Sequence, residues 1–594
     1  MVYPRGSETP SSWGFTSETR TEQHGDDRIY CDWFKRLLDP NVLRQAQAKD
    51  PQNSPRSQAE VDKWFEDYMR LLYRHVESKI VAELPSSMTW NTTQIEFIFS
   101  VPTTWSTHPT VERFKRLVQQ AGWGTYPTHC VSIGLTEAEA AAVATSIEAP
   151  GLFHENDVMM VCDAGGGTTD LSVLMVTGTA DGALSLQQMD EVFGRNIGST
   201  AIDTDFEDLA LVRLNLANQV SSLGIDIDSA AWEMMKSREF QDAKCDYGSP
   251  DDTPVFSVPV PKLHPACVNR QFGLVNGCMT FTRQDLQNLF DKQIQALQNL
   301  VEEQLKRFET KFPLSQISHL VLSGGLGNSP YVQTQLKVKF GIGVNRFACA
   351  SNLRIQIAPE PQLVVCRGLV LDRKAKLERG RAVLGWRCCR ASYGTIAKIK
   401  YDKKNPDHFG KPQTQDPKDG KWYINDGIVW FIKKGEPVNV DVPEIRRFRR
   451  KITPGDPRRA FTDSVVTSEL DKDYLPIHMT ADVRKLCNVT SDLSGVEDTK
   501  FKKKNRHWWS FRTPYLRADY QIKVLIGPAD ITFQLWFDGQ QLSRDNPITV
   551  DWQPSAPPTF TNLSGEPPAY FGHAYHANHA NFNNYMHQAW QNGV

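Results

Sequence analysis

Apolar residues recur along the chain at two different spacings, and their alternation predicts a mixed α/β protein. Residues 61–82 and 286–308 place apolar side chains three and four positions apart, which indicates amphipathic helices. Short apolar runs at 95–101, 158–161 and 319–322 contain many β-branched residues and have the length of buried strands. Helices and strands therefore alternate through the larger, N-terminal part of the sequence.

Changes in residue composition divide the chain into four segments. Residues 1–60 are polar and rich in Ser, Thr, Gln and Pro, so we expect an irregular N-terminal segment. The alternating helices and strands occupy residues 61–375, and short strands between turn residues predict a β-rich domain over 383–552. Residues 553–594 are rich in Pro, Asn and His and contain few aliphatic side chains, which predicts a disordered tail.

Two apolar runs flank three consecutive glycines in residues 158–174, and this arrangement predicts strand, tight turn, strand. Glycines at the end of a strand let backbone N–H groups approach an anion, because no Cβ intervenes. Asp163 and Asp170 flank the turn, Thr168 adds a hydroxyl, and together they could hold a divalent cation directly or through water. For the three glycines alone, a hairpin with solvated aspartates is the alternative interpretation.

A second glycine pair follows another apolar strand much later in the chain. His319–Ser323 leads into Gly324 and Gly325, a polar turn follows, and Pro330 marks the start of a helix. Paired glycines allow the backbone to lie against a flat group. The two glycine stretches together predict a binding site for a nucleotide.

The two stretches resemble motifs of the heat-shock protein 70 family, a branch of the actin-like ATPase superfamily. Asp-x-Gly-Gly-Gly-Thr-x-Asp at 163–170 is similar to the family's second phosphate motif, and Gly-Gly-Leu-Gly-x-Ser-Pro-Tyr at 324–331 to the adenosine motif of a divergent branch. The order of segments over 95–370 is also heat-shock-like. The resemblance implies a two-lobed, ribonuclease H-like nucleotide-binding domain followed by a β-rich domain that binds peptides.

The resemblance also implies roles for individual residues. Lys35 would orient the attacking water, and Glu137 would act through Mg²⁺-bound water, although a glutamate that only begins a helix is an equally good interpretation. The residues implied in catalysis or metal binding are Lys35, Glu137, Asp163, Thr168 and Asp170. The residues implied in nucleotide binding are Gly165, Gly166, Gly167, Thr168, Gly198, Ser199, Gln241, Lys244, Gly324, Gly325 and Asn328.

Several positions depart from the family pattern. Gln241 stands where the family has an acidic residue, and Asn328 stands where it has the arginine that stacks on the base. The family's first phosphate motif, an apolar strand into Asp-x-Gly-Thr-Thr, is absent from residues 1–60. We therefore expect either an N-terminally truncated product of an active ATPase or a degenerate relative with impaired binding of ATP or ADP and Mg²⁺.

These observations leave more than one function open. The favoured one is an ATP-binding, chaperone-like protein with weakened or lost ATPase activity, whose partners are peptide or protein clients and co-chaperones. The alternatives are a non-catalytic interaction scaffold of the same fold and a truncated active ATPase. A sugar kinase of the same superfamily is less favoured, because no sugar-site pattern is present.

The overall composition restricts the partners and the location. The formal net charge is −2, which gives no global indication of nucleic-acid binding. We expect no membrane span, because no apolar run approaches the ~18 residues that one requires. The 11 cysteines are scattered without a Cys-x-x-Cys pair, which fits a reducing compartment, and we expect the cytoplasm with the nucleus as an alternative. The oligomeric state is left open.

Two basic clusters, at 446–451 and 500–506, interrupt the β-rich region. A nuclear localisation signal or the recognition of an acidic partner is one interpretation. We favour exposed, solvated loops, because runs of charge are most often only surface.

Overall fold

The structure, a computed structural model, describes most of the chain up to residue 552. The residues outside this description are 15, 20–27, 50, 52–53, 104, 106–107, 150, 179–183, 441, 506–511, 528–530, 543–547 and 553–594. The predicted disordered tail therefore lies outside the described residues. Within the described ranges, no helix combines the length and the apolar character that crossing a bilayer requires.

Helices and strands alternate up to residue 379, and strands dominate afterwards. The helices are α1 (Thr16–Thr19), α2 (Phe34–Leu37), α3 (Pro40–Lys49), α4 (Gln58–Glu83), α5 (His108–Gln120), α6 (Glu137–Glu148), α7 (Ser199–Val220), α8 (Ile227–Lys236), α9 (Arg238–Asp246), α10 (Arg283–Lys311), α11 (Gly324–Gly327), α12 (Pro330–Phe340) and α13 (Val364–Arg379). The strands up to residue 357 are β1 (Val2–Pro4), β2 (Arg28–Tyr30), β3 (Ile95–Val101), β4 (His129–Thr136), β5 (Val158–Ala164), β6 (Thr169–Gly178), β7 (Leu184–Gln188), β8 (Phe193–Arg195), β9 (Val255–Pro259), β10 (Leu274–Val275), β11 (Cys278–Thr282), β12 (His319–Ser323) and β13 (Arg354–Ile357).

The remaining strands belong to the C-terminal part of the chain. They are β14 (Leu384–Cys388), β15 (Ser392–Lys400), β16 (Gln413–Gln415), β17 (Trp422–Ile432), β18 (Pro437–Asn439), β19 (Glu444–Ile452), β20 (Ala460–Ser468), β21 (Val483–Asp492), β22 (Lys502–Lys504), β23 (Tyr515–Ile526), β24 (Ile531–Phe537), β25 (Gln540–Gln541) and β26 (Ile548–Trp552). We call the described residues of 1–136 the N-terminal unit, those of 137–380 the central unit and those of 384–552 the C-terminal unit.

The largest sheet has the strand order β13-β12-β5-β6-β7-β14-β18, and β8 pairs with the start of β6. β13, β12 and β5 run parallel, whereas β6 is antiparallel to both β5 and β7. Because parallel strands end at the same edge of a sheet, β5 and β12 bring their carboxyl ends together. In this register Asp163 lies beside Ser323, so the two glycine stretches leave the sheet at one place.

Strand β5 is buried on both faces, as its uninterrupted apolar run predicts. Met159 and Val161 pack with α6 and α13 on one side, whereas Met160 and Cys162 pack with α7 and α10 on the other. The alanine-rich helix α6 packs closely on α13, where a Cβ added to Gly368 would overlap the carbonyl oxygen of Ala140. These two layers fix the sheet edge that carries both glycine stretches.

The N-terminal unit has an aromatic core of its own. The parallel strands β3 and β4 pack with α4 and α5, and the Phe97 and Trp123 ring centroids are 4.9 Å apart. The described part of residues 1–60, which we expected to be irregular, contributes β1, β2, α2 and α3. Tyr3 is buried and its hydroxyl donates to Asp67 of α4 at 3.0 Å. The few apolar residues of this polar segment therefore pack against the apolar face of α4 and bury it.

Most of the C-terminal unit consists of two antiparallel sheets packed face to face. One has the order β16-β17-β15-β20-β21-β26, and the other has the order β19-β23-β24-β25 with β22 also paired to β23. Val465 and Val489 of the first sheet share a core with Ala518 and Ile522 of the second. Their side chains alternate between this core and the outside, as strands with one buried face require.

Two strands of the segment 383–552 leave this arrangement and extend the sheet of the central unit. β14 pairs parallel with β7, and β18 pairs antiparallel with β14. Arg387 of β14 lies 3.3 Å from Glu139 near the start of α6. The boundary that residue composition suggests at 383 therefore precedes a strand of the central sheet, because composition does not show which sheet edge a strand will join.

Most described residues of the two basic clusters lie in strands rather than in loops. Residues 446–451 belong to β19, and Lys502–Lys504 form β22. For these residues the interpretation as solvated loops is wrong, because both strands are hydrogen-bonded to β23.

Candidate functional site

A cavity of about 1100 Å³ lies at the sheet edge where the two glycine stretches meet. Its wall includes residues of all three units, with Lys35 and Thr103 from the N-terminal unit and Arg390 from the C-terminal unit. The glycines of the two stretches that line it are Gly165, Gly166, Gly167, Gly324 and Gly325. The two stretches that the sequence places far apart therefore form walls of one cavity.

The first glycine stretch is a tight turn between β5 and β6, as predicted. Ala164 and Thr169 form the last strand pair, and the Gly165 amide donates to the Thr168 carbonyl oxygen at 2.9 Å. Thr168 itself lines the cavity. Without side chains on residues 165–167, the backbone of the turn forms part of the cavity wall.

The start of α7 supports this turn from behind. Gly198 is the N-cap of α7, and a Cβ at this position would overlap the carbonyl oxygen of Gly166. The amides of Ser199 and Thr200 donate to the carbonyl oxygens of Gly165 and Gly166 at 3.2 and 2.8 Å. Gly198 and Ser199 do not line the cavity. That they approach phosphate oxygens stays a prediction, and the amides of Ser199 and Thr200 already have partners in the turn.

The second glycine stretch packs against the end of β5. Gly324 has a φ of +79°, and a Cβ there would overlap the Ala164 carbonyl oxygen and lie 2.9 Å from Asp163 Oδ1. Ser323 Oγ donates to the same carboxylate oxygen at 2.8 Å. Only glycine fits at residue 324, since any other side chain would meet both a strained backbone and occupied space.

The two aspartates that flank the turn are paired across β5 and β6 but differ in access. Asp163 lines the cavity, whereas Asp170 is 1% exposed and accepts a hydrogen bond from the Thr103 hydroxyl. Burial, with a smaller contribution from Glu137, raises the pKa of Asp163 to about 6 and that of Asp170 to about 7. Both groups therefore hold protons more tightly than ordinary aspartates.

Lys35 reaches this acidic group from α2. Its Nζ lies 2.9 Å from Glu137 Oε1 at the start of α6. Burial alone lowers the pKa of Lys35, but the carboxylates of Glu137, Asp170 and Asp163 outweigh it and raise this pKa. The predicted catalytic lysine and glutamate thus lie together at the cavity wall as an ion pair.

The carboxylates only partly fit the predicted metal site. In the described part of the chain, no group of three or more His, Cys, Asp or Glu side chains is arranged to hold a metal ion. Magnesium commonly keeps several waters and takes one or two carboxylates together with phosphate oxygens. Asp163 and Glu137, which line the cavity, suit such an ion. Asp170 does not reach it directly, because Thr103 covers its carboxylate.

The residues expected at the ribose and base, Gln241, Lys244 and Asn328, form what we call the nucleoside end. None of the three lines the cavity. Lys244 Nζ lies 2.5 Å from Asp203 Oδ1, and Gln241 Nε2 donates to the same oxygen at 3.2 Å. Asn328 is exposed, and its carbonyl oxygen accepts a hydrogen bond from Gln333. Asp203 of α7 therefore binds both Gln241 and Lys244, the side chains that were predicted to contact ribose.

Sequence reasoning missed Arg36, which lies on the glycine turn. A Cβ on Gly167 would be 2.9 Å from Arg36 Cδ and 3.5 Å from Arg36 Nε. Burial lowers the pKa of this guanidinium to about 10. Its place next to Lys35 on α2 was the signal available, because both side chains leave the same short helix toward the cavity.

Thr103 and Arg390 were also missed. The Thr103 hydroxyl donates to Asp170, and the Thr103 carbonyl oxygen accepts from Arg390 Nη1 at 2.6 Å. A polar residue two positions after the carboxyl end of β3 was a usable signal for Thr103. Nothing in the sequence around Arg390 indicates that a residue of the C-terminal unit reaches this cavity.

Comparisons with known proteins agree with the position of the glycine stretches. Residues 133–346 match a family model described as Hsp70 protein. This central part of the chain is therefore similar to heat-shock protein 70. The mitochondrial heat shock 70 kDa protein of Trypanosoma cruzi is 30% identical over 193 residues. This stretch covers 32% of the present chain and 26% of the relative, so the chain spans about a quarter of that protein.

The heat-shock protein 70 match includes β5 and β6 with the glycine turn that joins them. It also includes β12 and the glycine pair that follows this strand. It implies the actin-like ATPase fold for this part of the chain, and the mixed α/β architecture is consistent with that fold. Residues 387–554 match a second model, described as a domain of unknown function, DUF8568. The second match begins inside β14, the strand that joins the central sheet.

Proposed function

We propose that this chain is an ATP-binding, chaperone-like protein of the heat-shock 70 type, with weakened or lost ATPase activity. The observation that supports it best is that the Gly165–Gly167 turn and the Gly324–Gly325 pair form walls of one cavity. The similarity of residues 133–346 to Hsp70 protein supports nucleotide and Mg²⁺ binding in general. Peptide or protein clients and co-chaperones are the partners expected for such a protein.

The phosphates of the nucleotide would lie against the glycine turn. Thr168 supplies a hydroxyl there, Arg36 supplies positive charge on the turn itself, and Lys35 supplies a second positive charge at the cavity wall. Asp163 and Glu137 would hold Mg²⁺, directly or through water. When bound, the ion neutralises charge on the phosphate oxygens. The chain's own contribution is to orient the phosphates and to place a lysine beside them.

Two contacts favour weak turnover. Lys35 already forms an ion pair with Glu137, so it must exchange this partner before it can orient a water molecule. Lys244 is held by Asp203, so binding at the ribose has to compete with an internal carboxylate. Each exchange reduces the free energy that nucleotide binding can supply.

The same contacts favour a second candidate, a non-catalytic scaffold of this fold. In that case the ion pairs are structural and the C-terminal unit provides the interaction surface. Proteins of both kinds would share the architecture described above, so binding measurements have to separate them.

Calorimetric titration of the full chain with ATP and Mg²⁺ tests the proposal. We expect a Kd of tens of micromolar or weaker, roughly −6 kcal/mol, and negligible single-turnover hydrolysis. Robust hydrolysis that disappears in Asp163→Ala would contradict the loss of activity. Absence of heat and of competition at millimolar ATP would favour the scaffold.

A further inference from the structure

The two basic clusters of the C-terminal unit converge on one sheet, although about fifty residues separate them in the sequence. Strand β19 pairs with one side of β23, and strand β22 pairs with its other side. Lys451 and Lys502 are both register partners of Arg517, from opposite sides. The sheet therefore joins two sequence clusters into one continuous surface.

The alternation of burial along β23 shows which face carries the charge. Ala518, Tyr520 and Ile522 are buried in the core between the two sheets. The residues between them point to the other side, because successive side chains of a strand lie on opposite faces. We define the basic face as the outward side chains Arg447, Arg449, Lys502, Lys504, Arg517 and Lys523.

The basic face carries more positive charge than its neighbours neutralise. Asp519 forms ion pairs with three cations of the basic face, Arg449, Arg517 and Lys502. Arg447 and Lys504 are exposed, and in the described ranges neither forms an ion pair. By contrast, Lys451 is balanced by Asp416 and Asp419 at 2.8 and 2.7 Å. The positive charges of the basic face therefore outnumber the carboxylates that pair with them.

Asp519 shows how the face receives a carboxylate. Arg449 Nε and Arg517 Nη2 lie 2.8 and 2.9 Å from its two oxygens, and Lys502 Nζ lies 4.0 Å away. Burial acts in the opposite direction, but the hydrogen bonds and charges of the two arginines lower the pKa of Asp519. Paired arginines bind carboxylates strongly and in a defined geometry.

We propose that the basic face binds an extended acidic segment, rich in Asp and Glu, of a partner protein. Outward side chains on one strand repeat every ~6.6 Å, which is also the repeat of alternate side chains in an extended peptide. Nucleic acid fits less well, because single strands are commonly held by stacking on aromatic rings. Among the described residues of this face, the Trp536 ring is covered by Lys523, whose Nζ is 3.3 Å from the ring centroid, and Tyr515 is buried with Lys451 over its ring.

The acidic segment does not come from the C-terminal end of this sequence. Residues 553–594 contain one acidic side chain, Glu566. Charge complementarity therefore points to another protein. The proposal does not rest on the proposed nucleotide site, although Ile526 and Gly527, at the end of β23, line that cavity together with Arg390.

Fluorescence anisotropy of the full chain with a labelled peptide of alternating Glu and Ser tests this proposal. The peptide has about nine residues, to match the nine of β19. We expect saturable binding that weakens as ionic strength rises. The double variant R447E/K504E should weaken binding about tenfold or more, because two attractive charges become repulsive.

The matched control is K403E/K404E, which changes the net charge by the same amount on exposed lysines of the same unit. It should leave the affinity within about twofold of the unchanged protein. Equal weakening in both variants would show a general charge effect and overturn the assignment of the face. Tighter binding of a DNA duplex of equal charge, lost in R447E/K504E, would overturn the choice of an acidic peptide.

Discussion

The phosphate end and the nucleoside end of the proposed nucleotide site are built from different kinds of contact. At the phosphate end, backbone packs against backbone, with Gly324 on Ala164 and Gly198 on Gly166. At the nucleoside end, side chains hold one another, with Lys244 on Asp203. The first arrangement is complete without a ligand, whereas the second has to be opened before a ligand can use it.

This difference has an energetic consequence. Backbone contacts at glycines leave no conformational choice, so the turn is already in the form that a phosphate would meet. The Lys244–Asp203 ion pair is largely buried, and its replacement by a ribose contact gains little. We therefore expect the phosphate chain to supply most of the affinity and the base to supply little.

The largest effect is expected at Gly324. Gly324→Ala forces a side chain onto a backbone with positive φ and onto the Ala164 carbonyl oxygen. We expect the free energy of unfolding to fall by about 2–4 kcal/mol, measured by urea denaturation. Gly325→Ala is the matched control, because a Cβ there meets nothing within 4 Å. Equal stability of the two variants would show that the close contact is not needed.

The next effect concerns Arg36. Arg36→Ala removes a cation that lies on the glycine turn, so we expect ATP affinity to fall about tenfold to a hundredfold. Calorimetric titration measures this change, and Arg36→Lys should restore part of it. The control Arg238→Ala removes an exposed arginine of α9 and should leave the affinity unchanged. Unaltered binding in Arg36→Ala would place the phosphates elsewhere.

A third effect is expected from pH. The folded-state pKa values of Asp163 and Asp170, about 6 and 7, lie above the ordinary value of an unfolded aspartate, about 4. The folded protein therefore holds protons that the unfolded chain releases. This stabilisation is complete below pH about 4 and is lost as pH rises to about 7.

Asp170→Asn isolates this contribution, because the asparagine does not titrate. The stability of the unchanged protein relative to this variant should fall by about 3 kcal/mol between pH 4.5 and 7.5. Urea denaturation at several pH values measures it. A relative stability that rises with pH would show that the carboxylate is ionised throughout in the folded protein.

The smallest effect is expected at the nucleoside end. Because Gln241, Lys244 and Asn328 do not line the cavity, ATP, GTP and inorganic tripolyphosphate should bind within about threefold of one another. Competition against a fluorescent ATP analogue measures the three affinities. A preference for ATP above about tenfold would show that the Lys244–Asp203 pair opens for the base.

Local patterns predicted the elements that position the site. The apolar run before Asp163 and the β-branched run after it correctly indicate β5 and β6. The apolar spacing over 286–308 correctly indicates α10, which begins with a capping box formed by Thr282 and Asp285. Each of these features depends on residues close together in the chain, so the sequence shows them directly.

The remaining features depend on residues far apart in the sequence. Thr103 covers Asp170 from another unit, and Asp203 occupies Lys244 from another helix. A motif shows that a carboxylate or a lysine is present. It does not show which side chain of the same protein will form a hydrogen bond or an ion pair with that group. The position of β14 on β7 was missed for the same reason, since any short apolar strand could fill that edge.

The pairing of β14 with β7 also determines where this protein can be divided. A fragment that ends at Gly380, just after α13, would leave β7 with a row of unsatisfied amide and carbonyl groups. It would also lose Arg387, the ion-pair partner of Glu139. The central and C-terminal units are therefore coupled in folding. A cut beyond β18 would not separate them either, because it would part β15 from its neighbour β20.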